Sequence, residues 1–174
     1  MKKFLLLLCC VYCLASNAQL PTRTQDNVKK YKQVCRDYIY REMKGMYRES
    51  GGALKYPFLA PRSSQYLDML WDWDSWLSDV ALRQILLEKG SKKDSADALR
   101  YERGCIINSL HYGGMDGWIP IWIERNAPSR EEMLKHRNPW RSNMHKPTLA
   151  QHAAFIVKQM NGNAEWLRED FYYL

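Results

Sequence analysis

The sequence lacks the residue spacings that mark common metal, phosphate and redox sites. None of its four histidines lies three or four positions from another on one predicted helix face, so the paired ligands of a zinc site are missing. After residue 18 there is no Gly-x-Ser-x-Gly elbow, no phosphate-binding glycine loop and no Cys-x-x-Cys. These absences argue against zinc, nucleotide and thiol-redox chemistry, and we expect neither a metal nor a cofactor.

The sequence also has little segregation of charge. Its 174 residues carry a formal charge of +7 without any run of five like charges, because lysine and arginine alternate with acidic residues. This pattern is weak evidence for a nucleic-acid partner, and we expect none. A hydrophobic fraction of 46% is too high for a disordered chain.

No apolar run is long enough to span a bilayer. The longest covers residues 4–15, follows two lysines and precedes the small residues Ser16 and Ala18, as in a secretory signal cut before Gln19. No small residue directly precedes a cysteine there, as a lipoprotein anchor would need. We therefore expect residues 1–18 to be a signal peptide, the protein to be exported to the periplasm or medium, and no membrane attachment after cleavage.

Cleavage would leave 174 − 18 = 156 residues with a formal charge of 24 − 19 = +5. Only two of the five cysteines, Cys35 and Cys105, would remain. Whether they pair stays open, as does the oligomeric state.

Apolar residues at three- and four-residue spacing predict an all-α protein with about five helices. The expected spans are residues 26–50, 73–90 and 92–112, a fourth helix from Thr148 and a fifth from about Ala164. The core stripe of the second helix is expected to contain Trp73, Trp76, Leu77, Val80, Ala81 and Ile85, with Asp72 or Asp74 as its cap and Asp79 pairing with Arg83 on the opposite face. One face of the first helix is expected in the core. No strand alternation is apparent.

Two long loops, residues 51–72 and about 113–147, separate these helices and are expected to be functional. The first leads into Leu-Trp-Asp-Trp-Asp-Ser-Trp at residues 70–76, where three tryptophans and two carboxylates meet at a helix start. Sugars stack on aromatic rings while their hydroxyls bind polar groups, so this composition suits a carbohydrate site. The alternative is that Trp73 and Trp76 are core residues and that the aspartates only cap the helix.

The second loop adds further polar and aromatic residues. Trp118 and Glu124 lie within it, and His145 and Lys146 precede the fourth helix. Loops at one end of a helical array can converge, so we expect these residues to line one site with Trp73 and Asp74. The alternatives are a solvated Glu124–Arg125 pair and an ordinary surface charge at Lys146.

Three motifs in order resemble the start of a six-hairpin (α/α)6-barrel glycosidase. They are residues 70–76, the Asp-Gly-Trp-Ile-Pro of residues 116–120 and the His-Lys-Pro-Thr-Leu-Ala-Gln of residues 145–151. The sequence is most similar to glycoside hydrolase family 63, including mannosylglycerate-hydrolase-type enzymes, and less to trehalases. The resemblance implies that Trp73 and Asp74 contact the innermost sugar and that His145 contacts substrate. Ile121 and Asn143 depart from the trehalase pattern and argue against trehalose.

The resemblance implies an exported, inverting hydrolase of an α-linked glucoside, mannoside or similar oligosaccharide. In such enzymes a general acid and a general base lie on opposite sides of the scissile bond. The matching segments of the family follow the motifs seen here, so the pair is expected beyond Leu174 and no catalytic residue is assigned. Asp72 and Asp74 cannot substitute, because residues two apart on a helix diverge.

The expected architecture is therefore a partial (α/α)6 barrel in residues 19–174, the amino-terminal portion of a catalytic domain, which would be inactive alone. Two alternatives remain. One is a small secreted protein that binds carbohydrate through Trp71, Trp73, Trp118 and Trp122 without hydrolysing it, and the other is a helical module that docks a protein partner.

Overall fold

The computed structural model describes residues 24–61, 65–136 and 147–168. The described part is mostly helical, as predicted. It contains five α-helices and four short strands. The predicted fifth helix from about Ala164 is wrong, because among the described residues only the 3-10 turn Glu165–Leu167 is present there, and the first helix ends at Glu42 and not near residue 50. A short helix at Arg130–Lys135 instead lies within the second predicted loop. The helices are α1 (Gln25–Glu42), α2 (Asp72–Lys89), α3 (Lys92–His111), α4 (Arg130–Lys135) and α5 (Leu149–Gln159). The strands are β1 (Tyr47–Arg48), β2 (Phe58–Leu59), β3 (Met69–Trp71) and β4 (Trp122–Glu124). The predicted signal peptide lies outside the described residues.

The chain forms two units, residues 1–37 and 38–174, and the features discussed below belong to the second. Helix α1 begins in the first unit and has no buried residue. Tyr31 and Tyr38 are 52% and 55% exposed, so the prediction that one face of this helix is core is wrong. Tyrosines and valines spaced among lysines make an amphipathic helix, but that pattern does not identify what covers its apolar face.

Helices α2 and α3 form a hairpin linked by Gly90 and Ser91. The Ser91 hydroxyl accepts a hydrogen bond from the N–H of Asp94, whose carboxylate accepts one from the N–H of Ser91. This capping box starts α3 at the predicted residue. Helix α2 instead has Trp71 at its cap position, without a side-chain cap, so the prediction that an aspartate occupies that position is wrong.

The predicted core stripe of α2 is only partly correct: Ile85 is buried, and Trp76 and Val80 are half-buried. It is wrong for Trp73, Leu77 and Ala81, which are exposed. The buried residues of this helix are Asp72, Ser75, Asp79, Leu82, Arg83, Ile85 and Leu86. Trp73 and Leu77 are 45% and 61% exposed, on the face that was predicted to be buried. The prediction took apolar residues as the buried ones, whereas the buried face of α2 is partly polar and charged.

The four strands were not predicted, and they lie in or beside the two predicted loops. Strand β1 pairs antiparallel with β2, and β3 pairs antiparallel with β4. Each strand has only two or three residues, too few to show a period of two in the sequence. The pairing of β3 with β4 joins the two predicted loops directly.

Helix α3 packs across β2 in the main hydrophobic core. The N–H of Leu59 donates to Sγ of Cys105 at 3.2 Å. Cys105 is buried and its thiol is free. A second cluster joins α3 to α5 through Ile106, Leu110, Ile119 and Ile156. A turn follows α5, with positive φ at Asn161 and Gly162.

Replacing Gly104 by alanine is expected to destabilise the protein by about 2 kcal/mol or more. A Cβ at residue 104 would lie 1.7 Å from the carbonyl oxygen of Pro57 and 2.8 Å from its carbon, which are backbone atoms that cannot rotate away. Urea denaturation of Gly104→Ala measures this loss, with Lys93→Ala on the exposed face of the same helix as control. Equal stability of both variants and the wild type would contradict the close packing of α3 on this segment.

Candidate functional site

The outer face of the two-stranded β3–β4 sheet carries stacked tryptophans. Leu70 pairs with Ile123 on the buried face, and both are at most 2% exposed. Trp71 pairs with Trp122 on the opposite face, because side chains alternate along a strand. Their ring centroids lie 5.2 Å apart with planes inclined by 25°. We call this surface, with Trp71 and Trp122 at its centre, the tryptophan ribbon.

A carboxylate and a third aromatic ring extend the tryptophan ribbon. Glu124 pairs with Met69 and lies two residues from Trp122, and therefore on the same face as the tryptophans. Tyr66 packs edge-on against Trp71, with centroids 5.4 Å apart. The ribbon thus combines flat apolar rings with a half-buried carboxylate.

Arg125 connects the end of β4 to Asp68, the residue that directly precedes β3. Its Nε donates to Oδ1 of Asp68 at 2.9 Å, and its backbone N–H donates to the carbonyl of Asp68 at 3.2 Å. The ion pair of Arg125 is therefore with Asp68, and not with Glu124 as in the solvated-pair alternative.

Helix α2 begins where the tryptophan ribbon ends. The N–H of Asp72 donates to the carbonyl of Ile121 at 3.1 Å, which fixes the first residue of α2 beside the start of β4. Trp73 follows at 45% exposure and Asp74 is half-buried. The alternative that Trp73 is a core residue is therefore wrong. Asp72 is buried, and its carboxylate accepts a hydrogen bond from the N–H of Trp73.

Trp76, the last tryptophan of this motif, packs inward. Its ring lies 5.1 Å from the ring of His152 and 5.2 Å from that of Phe155, both on α5. Within one helical turn, Trp73 thus contributes to the surface and Trp76 to the contact with α5.

The remaining predicted site residues lie elsewhere. Trp118 is half-buried in the turn that leads to β4, where its carbonyl accepts a hydrogen bond from the N–H of Gly114 at 2.7 Å. His145 and Lys146 lie outside the described residues. Of the six predicted residues, the structure therefore associates Trp73, Asp74 and Glu124 with the tryptophan ribbon and its junction with α2.

A second group of chemically capable residues was missed as a group by the sequence analysis. His152 and Asp79 are joined by a hydrogen bond of 2.9 Å between Nε2 and Oδ2. Arg83 forms an ion pair with Glu102 and also donates to the carbonyl of Ser95. The four titratable residues Asp79, Arg83, Glu102 and His152 are each at most 5% exposed and join α2, α3 and α5. We call them the buried charge cluster.

Burial shifts the protonation of three members of this cluster. Loss of solvation, with the nearby Asp79, raises the pKa of Glu102 to about 9. Desolvation also raises the pKa of Asp79 to about 6 and lowers that of His152 to about 4. Arg83 opposes both carboxyl shifts without cancelling them. At neutral pH the two carboxyls therefore share one proton and leave one negative charge beside the guanidinium, while His152 is neutral.

The hydrogen-bonding state of two carboxyl oxygens agrees with a proton shared between Asp79 and Glu102. Among the described residues, Oδ1 of Asp79 and Oε1 of Glu102 have no other hydrogen-bond partner. A proton between the two groups would satisfy both atoms. Perturbed pKa values often mark active sites, but here Asp79 and Glu102 are 0% exposed and cannot reach a substrate. The buried charge cluster is therefore a structural element that holds three helices together.

The sequence contained a signal for this cluster. Glu102 lies four residues after Ala98 and three before Cys105, within the apolar stripe of α3, and His152 lies within that of α5. A titratable residue inside each of two core stripes requires a buried partner. Asp79 and Arg83, one turn apart on α2, are those partners, and they pair between helices and not with each other.

No group of three histidine, cysteine, aspartate or glutamate side chains in the described ranges is placed to hold a metal ion. None of the helices described is both long and apolar enough to cross a membrane.

The protein is expected to lose stability as the pH rises from 6.5 to about 8, and Glu102→Gln is expected to remove this dependence. The native pKa of Glu102 is about 9 against an ordinary 4.5, so in this range unfolding releases its proton and becomes easier by about 1 kcal/mol per pH unit. The raised pKa of Asp79 and the lowered pKa of His152 act mainly below this range. Urea denaturation at several pH values measures the slope.

The matched control is Glu131→Gln on α4, an exposed glutamate that should keep the wild-type slope. A wild-type slope of zero, or the same slope in Glu102→Gln, would show that Glu102 is ionised in the folded protein.

Comparisons with known proteins give no assignment to a family: no family model, curated protein or solved structure matches this chain. The tryptophan ribbon and its junction with α2 therefore form the candidate site on their own geometry.

Proposed function

We propose that this chain is the sugar-binding, amino-terminal part of an exported six-hairpin glycoside hydrolase that acts on an α-linked glucoside, mannoside or similar oligosaccharide. The observation that carries the proposal is the tryptophan ribbon, from which the chain leads through Asp72 directly to the exposed Trp73. Stacking of Trp71 on Trp122 occupies one face of each indole and orients both rings along one surface. An apolar sugar face packs on such rings at little entropic cost.

Polar groups next to these rings supply the second requirement of a sugar site. Glu124 shares the face of Trp122, and Asp74 lies in the first turn of α2. Both residues are half-buried, so packing restricts them without removing them from solvent. Sugar hydroxyls donate to such carboxylates, which orient the ring after stacking has bound it.

The helical architecture supports the finer part of the proposal. Helices α2 and α3 form a hairpin with a two-residue link, and α5 packs against both. Repetition of such hairpins builds an (α/α)6 barrel, of which about five helices would be present here. In that arrangement Trp118, His145 and Lys146 would supply further contacts to substrate.

The proposal assigns binding, and no hydrolysis, to the described residues. Asp72 is buried and accepts a hydrogen bond from the first turn of its own helix, so it is a positioning group for α2. Asp79 and Glu102 are fully buried in the buried charge cluster and cannot contact a substrate. The general acid and base are expected beyond Leu174, as the resemblance implies, and the chain alone should bind sugar without cleaving it.

A protein-docking module is the second candidate. It is favoured by the exposed leucines of α2, Leu77 at 61% and Leu87 at 73%, which an apolar partner surface could cover. Sugar binding distinguishes the two candidates directly.

The chain is expected to bind an α-linked gluco- or manno-oligosaccharide, such as maltotriose or α-mannobiose, and Trp73→Ala should weaken that affinity roughly tenfold. The reason is the loss of one stacking surface. Isothermal titration calorimetry measures the affinity of the wild type and the variant.

Leu77→Ala is the control, because Leu77 lies one turn further on the same exposed face of α2 and is not part of the aromatic surface. The carbohydrate proposal is wrong if the wild type binds neither sugar at millimolar concentrations, or if both substitutions weaken binding equally.

A further inference from the structure

Glu124 is the one charged residue in the two strands of the tryptophan ribbon, because the other residues of β3 and β4 are methionine, leucine, isoleucine and tryptophan. It lies on the same face as Trp122 and diagonally across from Trp71, at a spacing of about 7 Å that a long side chain can bridge to an aromatic ring. Its carboxylate forms no ion pair or hydrogen bond with another described residue. The negative charge of Glu124 is therefore available to a ligand that stacks on the rings.

The neighbouring cation, Arg125, does not cancel this charge. Side chains alternate along a strand, so Arg125 points away from the face that carries Trp122 and Glu124. Its guanidinium lies 5.6 Å from the centroid of the Phe58 ring, and Phe58 is fully buried. Its Nε also donates to Oδ1 of Asp68 at 2.9 Å. The charge of Arg125 is thus directed to the other side of the sheet and paired with a carboxylate.

A second cation, Arg48, lies beyond the paired residues of the ribbon. Its Nε donates to the carbonyl of Leu67 at 2.9 Å, and its Nη1 donates to two further carbonyls of its own segment. Leu67 precedes β3 by two residues, whereas Glu124 pairs with Met69, the first residue of that strand. Glu124 is therefore the charged group next to the stacked rings.

The aromatic rings favour the same kinds of ligand as Glu124 does. The face of an indole ring is electron-rich, so it attracts C–H and cationic groups and repels anions. Trp71 and Trp122 lie on the surface that also carries Glu124. An ammonium group on a bound sugar would be attracted by both the rings and the carboxylate, whereas a carboxylate or phosphate group would be repelled by both.

We infer that the tryptophan ribbon selects sugars by charge: it binds neutral and amino-substituted units and rejects units that carry a carboxylate or phosphate, with Glu124 as the specificity-determining residue. The inference rests on the proposed function, because it concerns the same site. It narrows the substrate class from sugars in general to those whose stacked unit is neutral or cationic.

Three methyl α-glycosides of matched size test the inference. Methyl α-glucoside is neutral, methyl α-glucosaminide carries an ammonium group and methyl α-glucuronide carries a carboxylate. Nuclear magnetic resonance titrations at low, constant ionic strength and about pH 6 keep both charged groups ionised and follow the indole N–H resonances of Trp71 and Trp122. The glucosaminide should bind roughly fivefold more tightly than the glucoside, and the glucuronide roughly fivefold more weakly, as expected for one partly exposed charge pair.

Glu124→Gln removes the charge but keeps the shape of the side chain, so it should still bind the glucoside and bring the affinities for the three glycosides close together. Because Glu124 is half-buried without an ion-pair partner among the described residues, this variant should fold, and its spectrum without sugar checks this. Glu131→Gln is the matched control, since Glu131 is exposed on α4 and should keep the wild-type order of affinities.

The inference is overturned if the wild type binds the three glycosides equally, if it prefers the glucuronide, or if Glu124→Gln keeps the wild-type order. In each of these cases the neutral sugar still binds, so the proposed function stands and charge selection alone fails. If neither the glucoside nor maltotriose binds at about 10 mM, the proposed function fails and the inference fails with it.

Discussion

The hydrogen bond between His152 and Asp79 and the ion pair between Arg83 and Glu102 place four titratable side chains where α2, α3 and α5 meet. Burying these groups costs free energy, which only mutual pairing and a shared proton offset. A rotation of α2 by one residue would separate Asp79 and Arg83 from their partners and leave charges buried without compensation. The rotation of α2 about its axis is therefore fixed by polar pairing as much as by hydrophobic packing.

This constraint has a direct consequence for the candidate site. With Ser75, Asp79 and Arg83 directed inward, the opposite face of α2 carries Trp73 and Leu77 to the surface. The start of the same helix is held to the β3–β4 pair through the Asp72 N–H and the Ile121 carbonyl. The positions of Trp73 and of the tryptophan ribbon are therefore coupled through α2. The charged side chains buried inside the protein determine which aromatic rings remain exposed.

Much of the helical framework could be predicted from the sequence, because its signals are local. The predicted start of α3 at residue 92 agrees with the capping box of Ser91 and Asp94, and α5 begins at Leu149, next to the predicted Thr148. The strands could not be predicted, since their two or three residues are stabilised by pairing with distant segments. The buried face of α2 was missed for a related reason: polar residues there satisfy each other across three helices, which a pattern of hydrophobicity does not record.

The candidate site was predicted only in part. The unusual composition of residues 70–76 indicated an aromatic and acidic surface, and Trp73, Asp74 and Glu124 do lie at or beside the tryptophan ribbon. The pairing of Trp71 with Trp122 depends on the register between strands 51 residues apart, which is not a local property of the sequence.

The most direct test of the proposed site is a crystal structure of the chain soaked with an α-linked oligosaccharide. We expect a sugar ring stacked on Trp73 or the tryptophan ribbon, with its hydroxyls toward Asp74 or Glu124. A sugar bound elsewhere, or Trp73 packed into the core, would contradict the proposed site.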